Sequence, residues 1–250
     1  MSDVQSQVSE EEWQTRVDLA ACYRIVAHYG WDDLIFTHIS ARVPGPDKHF
    51  LINPYGMMFD EVTASSLVKV DVAGEKVMPS EFEINPAGFV IHSAVHEARE
   101  DAHCVLHLHT NAGVAVSTLK DGLEAFSQQS LFPLSALSYH NYEGVALNPE
   151  EKARLVADLG STNFMILRNH GLLTCGNNIA DAFLFMYIMQ RACEIQLMAQ
   201  STGKPMIPIP TPILQGIQQQ ASEVTRSAGG SLAWPGILRK LDRVNPGFRN

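Results

Sequence analysis

Three histidines carry the chemistry this sequence offers most clearly. His107 and His109 lie two residues apart in His103-Cys-Val-Leu-His-Leu-His-Thr110. That stretch is rich in Val, Leu and Cys and free of Gly and Pro, which marks a strand. Side chains alternate along a strand, so His107 and His109 share a face with Val105, while Cys104, Leu106 and Leu108 point into the core. Two imidazoles on one face make half a site for a divalent cation such as Zn2+. His170, in the turn Asn169-His170-Gly171 between two apolar runs, offers the third ligand. Three imidazoles that leave a coordination position open form a catalytic rather than a structural site, and water or a substrate oxygen takes the fourth position. Without a cation the same residues are an inert hydrogen-bonded pair and a turn histidine. A second pair, His92 and His96, stands one helical turn apart. No third ligand accompanies it, so two helix-surface histidines are the simpler expectation.

The elements that must position these residues can be read in order. Residues 1–8 are polar and read as a loose tail. Ser9 followed by Glu12 fits a capping box, and the apolar spacing from Val17 to Val26 predicts a helix ending near Tyr29-Gly30. Residues 34–43 read as a strand, Pro44-Gly-Pro-Asp47 as a turn, and Phe50-Leu-Ile-Asn53 as the start of the return strand of a hairpin. Residues 67–72 and 76–78 predict a second hairpin about Ala73-Gly74-Glu75. Asn85-Pro86 opens a helix that carries His92 and His96, with Asn as cap and Pro in the first turn. A helix is expected after Asn111. Residues 131–138 read as a strand, and Tyr139 to Gly144 as a polar, aromatic loop. Asn148-Pro149 opens a helix to about Leu159. Strands at 164–167 and 172–175 flank His170, and Gly176-Asn-Asn178 leads into a long Met- and Phe-rich helix to about Gln200. After Gly203 the chain is Pro-rich and holds one more helical stretch, then Trp234-Pro-Gly and Pro246-Gly. The expected organisation is a tail (1–8), one α/β domain (9–203) and a C-terminal extension (204–250). Hairpins dominate over β-α-β alternation in the first half, so the sheet is expected to be mainly antiparallel.

Composition narrows the classes. At 250 residues the chain can bury a sizeable core. Its net charge of -9 supplies no basic field for nucleic acid or an anionic membrane. The four cysteines, Cys22, Cys104, Cys175 and Cys193, form no C-x-x-C pair and read as buried thiols. The acidic N-terminus is wrong for a signal peptide, and no apolar run is long enough to span a bilayer, so a cytoplasmic protein is expected.

The two histidine motifs, His107-Leu-His109 and Asn169-His170-Gly171-Leu-Leu, have company in Thr37-His-Ile-Ser40-Ala-Arg42 and Leu51-Ile-Asn-Pro54-Tyr-Gly56. In that order, with a helix before the first and a long helix after the second, they resemble the class II aldolase/adducin family across roughly residues 10–200. That family holds sugar-phosphate aldolases, the ribulose-phosphate epimerase, metal-dependent decarboxylases and the head domain of adducin. The resemblance implies a mostly antiparallel central sheet between helical layers and a homotetramer with interfacial sites. It also implies that His107, His109 and His170 ligate a divalent metal, Zn2+ first, with Mn2+ or Fe2+ as alternatives.

Departures from the family pattern shape the functional expectation. The family's aldolases open the helix before the His-x-His strand with a Ser-Ser-Glu-type segment whose Glu is the acid/base. Here that segment reads Pro86-Ala87-Gly88. Gly88 can carry no proton, and Pro86 and Ala87 lack the hydroxyls that would hold a phosphate. The family's Gly-Asn-x-Ser phosphate loop reads Thr37-His38-Ile39-Ser40, losing the Asn and gaining an imidazole. These changes argue against a sugar phosphate. The expectation is a metal-dependent lyase, of decarboxylase or aldolase type, acting on a small non-phosphorylated oxo- or hydroxy-acid through a stabilised enolate. His38, Tyr139, His140 and Tyr142 are the candidate proton-handling residues. Arg42, with a fork suited to a carboxylate, and Asn53, Gly56 and Glu143 are candidates for holding substrate. Glu81 and Glu83 are carboxylates near enough in sequence to replace the missing acid/base. The competing expectations are an adducin-like assembly module without catalysis and an iron-dependent oxygenase.

Overall fold

The computed structural model describes residues 3–144, 150–225 and 229–250. At the centre of its sheet β1 (His38–Arg42) pairs antiparallel with β4 (Cys104–Leu108), and β4 with β7 (Gly171–Gly176). β2 (Phe50–Ile52) and β3 (Val68–Val70) extend the sheet beyond β1. β6 (Phe164–Leu167) and β5 (Leu137–His140) extend it beyond β7, giving the order β3-β2-β1-β4-β7-β6-β5. Every neighbouring pair is antiparallel except β5 and β6. The expected mainly antiparallel α/β sheet between helices is therefore observed.

β4 is buried along its whole length because helices cover both faces of the sheet. Cys104, Leu106 and Leu108 join the larger apolar cluster, with Leu19 and Cys22 of α2 (Glu10–His28) and Met186 and Met189 of α7 (Ile179–Gln200). Val105 faces the other way, against Ile91 and Val95 of α3 (Pro86–Ala98) and Leu155 and Leu159 of α6 (Glu151–Leu159). The alternation read from the sequence thus holds. Since Cα register pairs His38 with His107 and Ser40 with Val105, His38, Ser40 and His107 all stand on the α3 side.

Local signals explain several boundaries. Ser9 Oγ accepts from Glu12 N at 3.1 Å and starts α2. The reciprocal half of the expected capping box is missing, because the Glu12 carboxylate is engaged by Arg16 and Lys69 at 3.0 and 2.7 Å. Asn178 Oδ1 accepts from Asp181 N at 2.8 Å and starts α7. α4 (Asn111–Ser117) follows β4 as expected, capped by Thr110.

Other boundaries differ from expectation. Asp3–Gln7, read as part of a loose tail, forms a short helix, α1. β1 begins only at His38, because residues 34–36 turn and Leu34 takes a left-handed φ of 51°. The strand expected at 76–78 shrinks to a single bridge between Val70 and Lys76. In the apolar run 131–138, Ser127 caps α5 (Gln128–Leu134), so its first half is helical and only Leu137 onward is strand. An apolar run has no periodicity to separate helix from strand, and the cap decided it. The cap expected at Asn148-Pro149 lies outside the described residues. Past Gly203 there are two helices, α8 (Thr211–Thr225) and α9 (Trp234–Val244). α9 packs against α2: Trp234 Nε1 donates to Asp18 at 2.8 Å, and Arg24 donates to Asn245 Oδ1 at 2.7 Å. Among the described residues no helix is long and apolar enough to cross a membrane.

Candidate metal centre

His107 sits at the end of β4, His109 just past it, and His170 in the turn between β6 and β7. Antiparallel pairing of β4 with β7 brings that turn beside the strand end. Asn169, at a left-handed φ of 57°, makes the turn tight enough to aim His170 inward. The three Nε2 atoms converge: His107 lies 3.0 Å from His109 and 3.2 Å from His170. The strand, the turn and the spacing thus assemble the set expected from the sequence.

Hydrogen bonds behind two of these rings set their tautomers. His107 Nδ1 faces the Leu172 carbonyl at 3.0 Å, and His109 Nδ1 faces the Asp33 carboxylate at 3.0 Å. Both acceptors require an N–H at Nδ1, so a neutral ring presents a bare lone pair at Nε2. Burial holds His107 far below the ordinary imidazole value. Burial first, then His109 and His140, holds His170 at about 4. Two lone pairs facing one another at 3.0 Å repel unless a cation stands between them. A tetrahedral shell with metal–nitrogen bonds of about 2.0–2.1 Å has edges of about 3.3 Å, close to the separations found. The donor set therefore fits a divalent cation, with Asp33 and the Leu172 carbonyl orienting two of its ligands.

His38 is beside this cluster, its ring centroid 5.2 Å from that of His107. It also fills the space next to Gly88: a Cβ built on Gly88 would fall 2.2 Å from His38 Cδ2 and 2.5 Å from Nε2. His38 Nδ1 contacts His92 Nε2 at 2.8 Å. Ser40 Oγ lies between His92 Nδ1 and His96 Nε2, at 2.5 and 2.7 Å, and His96 Nδ1 faces the Ala102 carbonyl at 3.0 Å. His92 and His96 are thus fully buried in a hydrogen-bonded row, which corrects the expectation of surface histidines.

The remaining candidates scatter. Tyr142 is exposed, with its ring 6.2 Å from that of His170, at the mouth of the site. Tyr139 lies in β5 rather than in a loop, its hydroxyl accepting from Leu123 N at 3.1 Å and its face under Arg168. His140, also in β5, is buried against Asp158 at 2.8 Å and Glu151 at 3.5 Å. Glu143 pairs with Arg154. Arg42 is four residues along β1 from His38 and donates to the carbonyls of His96 and Arg99. Asn53 is locked in the core by Tyr23, whose hydroxyl donates to Asn53 Oδ1 at 2.9 Å, and Gly56 forms an exposed turn with φ 99°. Glu83 pairs with Lys76 on an exposed loop. Of the expected companions, the fold brings His38 beside His107, and His140, Tyr142 and Glu143 into one pocket with His170; it leaves Arg42, Asn53, Gly56, Tyr139, Glu81 and Glu83 away from them.

Sequence reasoning missed Asp33, the Ser40–His92–His96 row and the buried Glu151. Asp33 precedes a strand without any motif, and the row joins two elements more than fifty residues apart, so neither leaves a local signal.

Comparisons with known proteins agree with the fold. The family model for the class II aldolase and adducin N-terminal domain matches residues 17–197. The "putative aldolase class 2 protein" of Pseudomonas aeruginosa is 67% identical, covering 99% of this chain and 96% of its own. Rat alpha-adducin is 44% identical over 76% of this chain, which spans only 26% of that protein. Among solved structures, an aldolase II superfamily protein from Pseudomonas syringae has 47% identity and a TM-score of 0.93, with both chains covered completely. An L-fuculose 1-phosphate aldolase from Glaciozyma antarctica has 26% identity and a TM-score of 0.78, covering 98% of this chain and 95% of that one.

Proposed function

The chain belongs to the class II aldolase and adducin family, and on that premise we propose that it is a metal-dependent carbon–carbon lyase. Its substrate is a small non-phosphorylated oxo- or hydroxy-acid. The observation that carries this reading is the convergence of Nε2 atoms at 3.0 and 3.2 Å, two of them bare because their Nδ1 partners are acceptors. His107, His109 and His170 hold the cation, Zn2+ first and Mn2+ or Fe2+ as alternatives that imidazole also accepts. When bound, it would supply positive charge to offset the negative charge developing on a substrate oxygen as a carbon–carbon bond breaks.

The chain's own residues supply the rest. In a retro-aldol cleavage the substrate hydroxyl loses its proton while the electron pair of the breaking bond passes to the neighbouring carbonyl. His38, buried beside the cluster, receives that proton in this reading, where the family's Glu is replaced by Gly88. Tyr142 at the mouth is placed to return a proton to carbon. The absence of hydroxyls on Pro86 and Ala87 supports a substrate without phosphate, unlike that named for the Glaciozyma antarctica aldolase. The same proposal includes the homotetramer that the family resemblance implies.

The 44% identity to alpha-adducin favours a second reading, a non-catalytic assembly module. Elemental analysis of protein purified without chelator separates the two. About one equivalent of zinc, manganese or iron per subunit supports the lyase. A protein that holds no metal and takes up none on titration supports the assembly module.

A further inference from the structure

The buried row that ends at His38 has only one consistent arrangement of protons. The Ala102 carbonyl can only accept, so His96 Nδ1 carries a hydrogen. A neutral His96 then has a bare Nε2, and the Ser40 hydroxyl must donate to it. Having given its only hydrogen, Ser40 Oγ accepts from His92 Nδ1. His92 Nε2 is consequently bare and accepts from His38 Nδ1. Each step needs a neutral ring. Burial favours this, since His38, His92 and His96 all lie within the core with their polar atoms turned to one another. The remaining nitrogen, His38 Nε2, makes no hydrogen bond among the described residues and lies against Gly88.

We propose that Ser40, His92 and His96 are positioning residues that lock His38 as its Nδ1–H tautomer, so that Nε2 is a dedicated hydrogen-bond acceptor for a substrate hydroxyl. This deepens the lyase reading and, in its ligand part, rests on it. A carbonyl oxygen at the same place would meet a second lone pair. Between otherwise similar acids, the site therefore selects the 2-hydroxy acid over the 2-oxo acid. Gly88 is part of the device. Any side chain there would occupy the volume of the His38 ring, so the imidazole at 38 requires glycine at 88.

The test reads tautomers directly, by two-bond nitrogen–proton correlation spectra of protein labelled with 15N-histidine, metal-free and zinc-loaded. The expected spectrum gives His38 a protonated-type Nδ1 and a bare-type Nε2 in both samples. Ser40→Ala breaks the row without removing an imidazole, and His38 then shows a mixture of tautomers. Ser40→Thr keeps the hydroxyl and restores the single form. If Ser40→Ala fails to fold, His96→Gln breaks the row one step further on and is read in the same way. A wild-type His38 protonated at Nε2, or a single unchanged tautomer in both breaking variants, overturns the lock. In the zinc-loaded protein, lactate is expected to bind about tenfold more tightly than pyruvate, the worth of one hydrogen bond, and to move the His38 Nε2 resonance. Equal affinities, or no binding of either acid, overturn the hydroxyl assignment. Metal content is measured on the same samples. A locked tautomer in a protein that takes up no metal leaves the lock standing and removes the lyase reading.

Discussion

Two groups of histidines share one face of the sheet and differ in how their hydrogen bonds close. In the row His38–His92–Ser40–His96, every junction joins a donor to an acceptor, and the row stops at a carbonyl. In the cluster His107–His109–His170, acceptor nitrogens face one another and the donors are spent on Leu172 and Asp33. The first group is complete as it stands; the second has the donor set that a cation would complete. Counting donors and acceptors thus separates a structural histidine network from a candidate metal centre, although both are clusters of the same residue type.

The contrast can be broken first at the cluster. His109→Ala removes a ligand, and metal per subunit is expected to fall from about one equivalent to near zero by elemental analysis. Ser40→Ala is expected to leave metal content unchanged. It strands a buried N–H on His92 and a bare nitrogen on His96, and costs about 2–4 kcal/mol in denaturant unfolding. Equal effects of both variants on metal would erase the distinction. Asp33→Asn keeps the ligands but weakens the acceptor behind His109, and zinc affinity is expected to drop about 10–100-fold in a chelator competition.

A further effect sharpens the contrast by pH. His38 and His96 titrate at about 3 when folded, below the usual 6.5, so the unfolded chain binds their protons first. Their contribution is complete above pH 6.5 and is lost as pH falls toward 3. Each adds about 1.4 kcal/mol per pH unit to the slope in that window. Denaturant unfolding of metal-free Ser40→Ala and wild type between pH 6.5 and 5 checks this. A wild-type stability that is flat across the window would contradict the buried neutral row.

Much of the fold was legible because it rests on local patterns. The alternation in β4, the cap at Ser9 and the hairpin of β1 and β2 each act over a few residues. Where a local pattern was ambiguous, as in the apolar run after Ser127, the reading failed until the cap was weighed. The three histidines that converge were also legible, since His-x-His and Asn-His-Gly announce themselves by spacing and turn chemistry.

The sequence by itself determined the three imidazoles, the face on which His107 stands and the loss of a side chain at 88. Only the tertiary structure decided their meaning. Pairing of β1 with β4 set His38 opposite His107, and packing of α3 across that face brought His92, His96 and Gly88 to it. A residue's hydrogen-bond partners from distant segments, and hence its tautomer, exist only once the chain has folded. The same distance in sequence hid Asp33 behind His109 and placed Arg42, Asn53 and Tyr139 in structural rather than site contacts.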